Sequence, residues 1–473
     1  MSATMLTRPV PAASTSLTPR RNPAIGMWVV LVGQLMLVLD ATIVNVALPH
    51  IATDLRFGSA SLSWVLNAYS LAFGGLLLLG GRLGDVLGRR RVFMTGLSLF
   101  TLASLAGGFA QAPWELVISR ALQGAGAALA APSVLALIAT SAPDEGARNR
   151  ALAAFAVISS GGAALGLMIG GALTDLVSWR WTMFVNVPIG VAVLFLVPGL
   201  VGETARRHGR FDFVGAGAAT AAAVSIVWTV INAPEQGWGS ARTVGGFVLG
   251  GALLGVLAVT ERRHPHPLLR PALLRSRQRL AGLVSMAALY GGMLATFFLT
   301  VQLLSRQFEY SPLQSGLAFL PVPLGVFTMS RLAPRLVARV GPAPLIAAGT
   351  LSVFVAMGLL LAVHSSTTYA SGVLPSLLLM GLGMGASFMP ITVLALNGVE
   401  PEHTGAASGL LQTMQQLGGA VGLAVVASVY AGRSAHGFDA ALRAGYAAAT
   451  VLAALALISA VTLLARRSRL VTA

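Results

Sequence analysis

The chain has 473 residues, 56% of them hydrophobic and 10% charged, with a formal net charge of +16 and a mean hydropathy of +0.80. Soluble domains carry roughly 25% charged residues and single soluble cores stop growing near about 250–300 residues, so the composition excludes an ordinary soluble globular protein. Cysteine is absent, which removes a disulfide framework, a thiolate nucleophile and a cysteine-ligated metal from consideration.

The first 22 residues are polar, rich in Ser, Thr and Pro, and read as a tail. Beyond them, apolar runs separated by charged or Pro/Gly turns recur, each long enough to cross about 30 Å of hydrocarbon. They predict fourteen spans, with boundaries good to a few residues: 27–48, 62–81, 92–110, 114–139, 151–177, 182–201, 214–231, 243–260, 280–304, 316–332, 345–363, 374–396, 406–430 and 447–464. The first run is too long for the apolar core of a signal peptide and is expected to be retained. All 31 basic residues are arginine, and over alternating loops 24 fall on one side and six on the other, with Arg120 alone inside a span. The positive-inside rule assigns the richer side, with both termini, to the cytoplasm. The high charge is thus a topology signal, and no nucleic-acid partner is expected.

An internal repeat is also present. Gly124, Pro132, Pro143, Gly162 and Gly166 reappear as Gly381, Pro390, Pro401, Gly418 and Gly422, at offsets of 256 to 258. A six-helix repeat would give an offset of about 190 residues, and the excess of about 65–70 equals the two spans between Phe211 and Glu261. The expected fold is an all-α membrane protein of six helices, two inserted, then six more. Its parts are a cytoplasmic tail at 1–22, a six-helix bundle at 23–201, two inserted helices with their loops at 202–279, a second bundle at 280–464 and a tail at 465–473.

The first span contains LDATIVNVALP, Leu39 to Pro49. An aspartate inside a span costs about 2.5–3.5 kcal/mol on insertion scales, so Asp40 requires a partner, an aqueous cavity or a proton. Arg120 in the fourth span is the obvious counter-charge. At 1.5 Å per residue, Asp40 lies about 13 Å below Pro49 and Arg120 about 9 Å below Trp114, roughly one layer. Asn45 competes as a partner from a face about 140° away. Such a pair either fixes helix packing or exchanges protons: desolvation and the guanidinium pull the carboxylate's protonation in opposite directions, so separating them changes its proton affinity.

Between the second and third spans runs GRLGDVLGRRR, Gly81 to Arg91. Gly81, Gly84 and Gly88 permit a tight turn, and Asp85 can accept hydrogen bonds from Arg89 or from a helix N-terminus across the interface between halves. Breaking them would release a cytoplasmic gate; the alternative is a positive-inside loop without a gating role. Gly162, Gly166, Gly170 and Gly171 in the fifth span allow close helix approach. Pro321, Pro323 and Pro390 are expected to kink spans ten and twelve. Glu261 to Arg279 reads as an amphipathic cytoplasmic segment on anionic headgroups. Candidates for the substrate cavity are Gln34, Asn45, Asn67, Tyr69, Gln123, Asn186, Tyr290, Gln302, Gln412 and Gln415. No Asp or Glu lies deep in spans seven to fourteen, which suits neutral or weakly charged amphipathic substrates better than dications.

With these motifs in order, the chain resembles a major facilitator superfamily transporter of the fourteen-helix drug:proton antiporter family (EmrB/QacA-like). LDATIVNVALP is similar to that family's first-helix motif, GRLGDVLGRRR to the superfamily's loop motif, RALQGAGAA from Arg120 to its basic fourth-helix motif, and WRWTMFVNVPIG, Trp179 to Gly190, to the fourteen-helix branch. SPLQSGLAFLP from Ser311 and GAASGLLQTMQQLGGAVG from Gly405 extend the resemblance over nearly the whole chain. Two positions depart from the pattern: Leu167 stands where the fifth-helix antiporter motif has proline, and Val86 follows Asp85 where a basic residue is usual. The resemblance implies proton-coupled efflux by alternating access, with Asp40 and Arg120 in coupling, Gly81, Asp85, Gly88 and Arg89 in the cytoplasmic gate, and Gly162, Gly166, Gly170 and Gly171 as the antiporter motif. The alternative on the same fold is a proton-linked importer or facilitator of a small nutrient. No covalent catalysis, cofactor or metal is expected; the partners are a small-molecule substrate, protons and the lipid bilayer, with the chain functional as a monomer in the plasma membrane.

Overall fold

The computed structural model describes residues 23–58, 61–141, 144–204, 212–263, 276–364, 367–396, 399 and 404–471, and among them there is no strand. Fourteen helices follow in order: α1 (Pro23–Asp54), α2 (Trp64–Leu87), α3 (Arg89–Gly108), α4 (Pro113–Ser141), α5 (Glu145–Leu176), α6 (Asn186–Leu200) and α7 (Phe213–Gln236). Then come α8 (Ala241–Arg263), α9 (Arg277–Arg306), α10 (Pro321–Val340), α11 (Pro342–Leu361), α12 (Leu374–Leu396), α13 (Thr404–Arg433) and α14 (Phe438–Val471). One short helix, Trp181–Phe184, leads into α6, and another, Pro312–Ala318, into α10. Thirteen described stretches are long and apolar enough to cross a membrane; the remaining expected span falls on α5, whose apolar stretch Gly161–Leu176 is shorter. Most of the Glu261–Arg279 segment, residues 264–275, lies outside the described residues.

Helix ends obey local chemistry. Asp144, Asp212 and Ser276 cap α5, α7 and α9 by accepting hydrogen bonds from backbone N–H groups three residues on, each satisfying a donor the helix itself cannot. Ser311 and Gln314 form a reciprocal capping box at Pro312–Ala318. Pro321 stands at a break within the tenth span, Pro312–Val340. It opens α10 at its first turn, where a missing N–H costs nothing, and the expected run 316–332 is divided there.

The packing repeats at an interval of eight helices. In the first half α1 packs on α5 and α6, α2 on α4, and α3 on α4 and α6; in the second α9 packs on α13 and α14, α10 on α12, and α11 on α12 and α14. Two related six-helix bundles, with α7 and α8 outside the repeat, account for every one of these pairs. The repeated glycines explain why the offset is visible in sequence. A Cβ at Gly162 or Gly166 would collide with Val38 or Thr42 of α1, and at Gly418 or Gly422 with Ala287 or Gly291 of α9. Gly124 meets the Tyr69 carbonyl on α2, and Gly381 the Val322 carbonyl on α10. Without a hydrophobic drive between helices in lipid, such close approach is what holds them together.

The bundles meet where α2 packs on α13, where α5 packs on α10 and Pro312–Ala318, and where α1 touches α9. The inserted α7 lies against both α2 and α13, while α8 packs on α7 and turns Val244, Val248 and Leu249 outward. α5 runs unbroken through Leu167.

Candidate functional site

A cavity of about 1060 Å³ lies between the bundles, walled by α1, α2, α4, α5, α9, α10, α12 and α13. It extends from Tyr69 and Arg120 to Arg82, Asp85 and Arg89 at the arginine-rich face. Apolar side chains dominate, including Phe73, Phe155, Met286, Met293, Phe297, Phe388 and Met389, and Gln34, Tyr69, Tyr290, Gln412, Gln415 and Gln416 interrupt them. Among the described residues, Asp85 at the mouth is the only carboxylate in the wall.

The opposite end is closed. Ile43, Val44, Leu48 and Ile51 of α1 and Phe298, Leu299 and Leu303 of α9 are buried in one apolar cluster. Cβ atoms at Gly171 and Gly316 would overlap the backbone of Pro312 and Leu167 respectively, so α5 and the Pro312–Ala318 helix are in backbone contact. Beside them Ser311 Oγ donates to Asp175 Oδ2 over 2.8 Å, joining the two halves. The outer end of α1 is clamped as well: Asp54 accepts from Trp179 Nε1 at 2.8 Å and pairs with Arg180, and Arg180 reaches the Ala110 carbonyl at 3.1 Å. The cavity is thus open at one face and sealed at the other.

Asp40 and Arg120 form the ion pair their depths require, Nη1 to Oδ2 at 2.6 Å, with the side chains 0% and 1% exposed. Asp40 Oδ1 accepts from Gln123 Nε2 at 3.0 Å and from Asn186 Nδ2 at 2.8 Å. Ser104 Oγ accepts from the same two amides at 3.0 Å each and donates to the Met183 carbonyl. Arg120 donates further to Gln123 Oε1 at 2.9 Å and to the Val65 carbonyl at 3.1 Å, under the Tyr69 ring at 4.6 Å. A buried charge is tolerable only when paired and hydrogen-bonded in this way. Five helices contribute: α1, α2, α3, α4 and α6.

The expected cavity residues divide into five groups. Gln34, Tyr69, Tyr290, Gln412 and Gln415 line the cavity. Gln123 and Asn186 do not; they are fully buried ligands of Asp40. Asn45 returns its amide to the Ala41 and Thr42 carbonyls of its own helix and plays no part in the pair. Asn67 is buried away from the cavity, its amide atoms without a hydrogen-bond partner among the described residues, and Gln302 lines a separate cavity of about 220 Å³ with Arg306 and Tyr430 near the closed end. Sequence reasoning missed Ser104, one hydroxyl in an apolar span, and Gln416, next to Gln415 on α13.

At the arginine-rich face Gly88 has φ 105°, a conformation that favours glycine. The turn brings Arg89 Nη2 within 2.6 Å of Asp85 Oδ1 and its Nη1 within 3.3 Å of the Pro132 carbonyl on α4; Gly81 also lies beside Pro132. Glu203, absent from the expected set, accepts from the N–H groups of Arg90 and Arg91 at 2.9 and 3.2 Å and so caps α3. None of these contacts reaches the second bundle: they join α2, α3 and α4 to one another and α3 to Glu203 at the start of the inserted segment. Gly162, Gly166 and Gly170 face α1 on both sides of Asp40, meeting Val38, Leu39, Thr42 and Ile43.

A profile described as Major Facilitator Superfamily matches residues 30–423. The chain is 41% identical over 416 residues to a puromycin resistance protein of Streptomyces alboniger, covering 87% of this chain and 82% of that protein. It is 39% identical over 431 residues to a cephamycin export protein of Amycolatopsis lactamdurans, covering 88% and 86% respectively. Among solved structures, the POT family transporter PepTSo superposes with a TM-score of 0.70 at 13% identity, covering 94% of this chain and 99% of that one, a likeness of fold alone.

Proposed function

The chain belongs to the Major Facilitator Superfamily, and we propose that it exports small amphipathic compounds, drugs or secondary metabolites, in exchange for protons. Relatives at this identity carry resistance and export in their names, and that weighs against the import alternative. The observation that carries the reading is the Asp40–Arg120 pair, buried at the inner end of a cavity open on one side only. The arginine-rich face is cytoplasmic, with both termini, in a plasma-membrane protein that works as a monomer. Residues 23–201 and 280–464 rock as two bodies about the cavity, with the inserted helices of 202–279 riding at the α2–α13 seam.

In this mechanism, substrate enters from the cytoplasm or inner leaflet, held by apolar surface and by the amides and phenols of Gln34, Tyr69, Tyr290, Gln412 and Gln415. When the outer face opens, a proton reaches Asp40, its hold on Arg120 is lost and substrate leaves. The protonated protein returns inward. The Asp85–Arg89 pair belongs to the cytoplasmic gate and closes against the second half in the outward state. The glycines Gly162, Gly166 and Gly170 let α5 slide along α1 during the change. Reconstituted protein with a pH gradient tests the reading: gradient-driven transport that survives Asp40→Asn unchanged would refute it.

A further inference from the structure

Asp40 is closed off from the cavity, whereas Arg120 forms part of its wall. Asp40 is fully buried, with Arg120 on Oδ2 and Gln123 and Asn186 on Oδ1. A substrate in the cavity therefore does not touch the carboxylate and does not displace its proton by contact. Arg120 bridges the two places. Its Nη1 faces Asp40, its Nε is taken by the Val65 carbonyl, and its Nη2 has no hydrogen-bond partner among the described residues. The Tyr69 ring that covers the guanidinium is itself cavity wall.

We infer that Arg120 is the group through which substrate and the proton on Asp40 sense each other, so that substrate charge sets the sign of coupling: cations exchange against protons, anions do not. The inference rests on Asp40 as the proton site. With Asp40 ionised, the pair is neutral and the inner cavity wall carries no net charge. Once Asp40 takes a proton, the guanidinium charge stands uncompensated at the wall, in a medium where charges interact more strongly than in water. A cation is then repelled, which is the mutual exclusion that exchange requires. By reciprocity a bound cation opposes protonation by the same factor. An anion meets the opposite situation: it pairs better with a guanidinium that Asp40 no longer holds, so its binding favours protonation, the sign of cotransport.

Few other groups bear on Asp40. α2 and α9 bring the phenols of Tyr69 and Tyr290 to the cavity wall, α3 and α6 bring Ser104 and Asn186 to the pair, and α5 faces α1 with glycines. The other charged or titratable groups on the helices packed against α1 or lining the cavity lie towards its two ends: Arg82, Asp85, Arg89, Arg90, Arg91, Glu145, Arg148, Arg150, Arg277, Arg279, Arg331, Arg335 and Arg339 at one face, His50, Asp54, Glu115, Asp175, Arg306 and Arg433 at the other. Pro312–Ala318 carries none.

Tetraphenylphosphonium and tetraphenylborate, nearly equal in size and opposite in charge, make the test. Binding of each to the purified full chain and to Asp40→Asn, which stands in for the protonated carboxyl, is followed by tryptophan fluorescence in an uncharged detergent at a single pH. Asp40→Asn is expected to weaken the cation and tighten the anion, each by about fivefold or more, the lower end of coupling between sites. Proton exchange on binding to the unmodified chain in weak buffer, release with the cation and uptake with the anion, tests the same coupling without a variant. If both probes shift in the same direction, or Asp40→Asn binds both like the parent, the inference is overturned. If that happens while reconstituted protein still transports drug down a pH gradient, antiport stands and only the role of Arg120 falls; absence of gradient-driven transport overturns both.

Discussion

Arg120 Nη1 lies 2.6 Å from Asp40 Oδ2, two charges with almost no exposure held between α1 and α4. Breaking such a pair by removing one member costs about 3–5 kcal/mol, because the other charge is left buried and uncompensated. Asp40→Ala and Arg120→Ala are each expected to lower thermal stability in detergent by that order. The double change Asp40→Asn with Arg120→Gln, which leaves no charge, is expected to recover most of the loss while staying uncoupled. Melting curves read beside gradient-driven transport check both halves of this expectation.

Asn186 touches the same pair directly, and Ser104 holds Asn186 in place. Asn186 donates to Asp40 and Ser104, and hydrogen bonds to charged groups contribute about 1.5–3 kcal/mol each. Asn186→Leu is expected to destabilise by about that much and to alter the pH profile of transport. Substitution of the cavity residue Gln415 by Leu is expected to alter substrate affinity and leave the pH profile in place. An unchanged pH profile in Asn186→Leu would remove it from the coupling network.

The glycine seam between α5 and α1 predicts a graded series. Gly166→Ala and Gly170→Ala drive a methyl group into the Leu39 and Ile43 carbonyls, and overpacking of this kind costs about 1–3 kcal/mol. Gly217→Ala on α7, with nothing within 4 Å of the new Cβ, is expected to be neutral or slightly stabilising, since alanine is the better helix former. Thermal unfolding of the three side by side decides it.

A chain without cysteine is a ready background for accessibility mapping. Single cysteines at Gln412 and Gln415, in the cavity wall, are expected to react with a membrane-impermeant maleimide added from the arginine-rich side, and one at Leu303, buried in the closed end, not to react from either side. Ser311→Ala removes the hydrogen bond to Asp175 that ties the halves together and is expected to raise labelling of Leu303→Cys from the opposite side severalfold.

The sequence alone determined the parts of this protein that depend on one-dimensional physics. Bilayer thickness sets the length of an apolar run, and glycines repeated at 256 to 258 residues mark paired close crossings, so the spans and the doubled bundle are legible. The partnership of Asp40 with Arg120 is legible for the same reason: two intramembrane charges at one depth leave few ways to avoid the cost of burial. Tertiary structure decided what each uncharged polar residue does. Gln123 and Gln412 look alike in sequence, yet the first is locked onto Asp40 and the second faces the cavity. Asn186 reads in sequence as a cavity residue and Ser104 as one more hydroxyl in an apolar span, yet both belong to the buried pair, while Asn45 turns back on its own backbone. The physical reason is that lipid tails are as apolar as leucine. A membrane helix therefore carries no strong hydrophobic stripe to announce its inward face, and its rotation about its own axis is settled only by the helices packed around it.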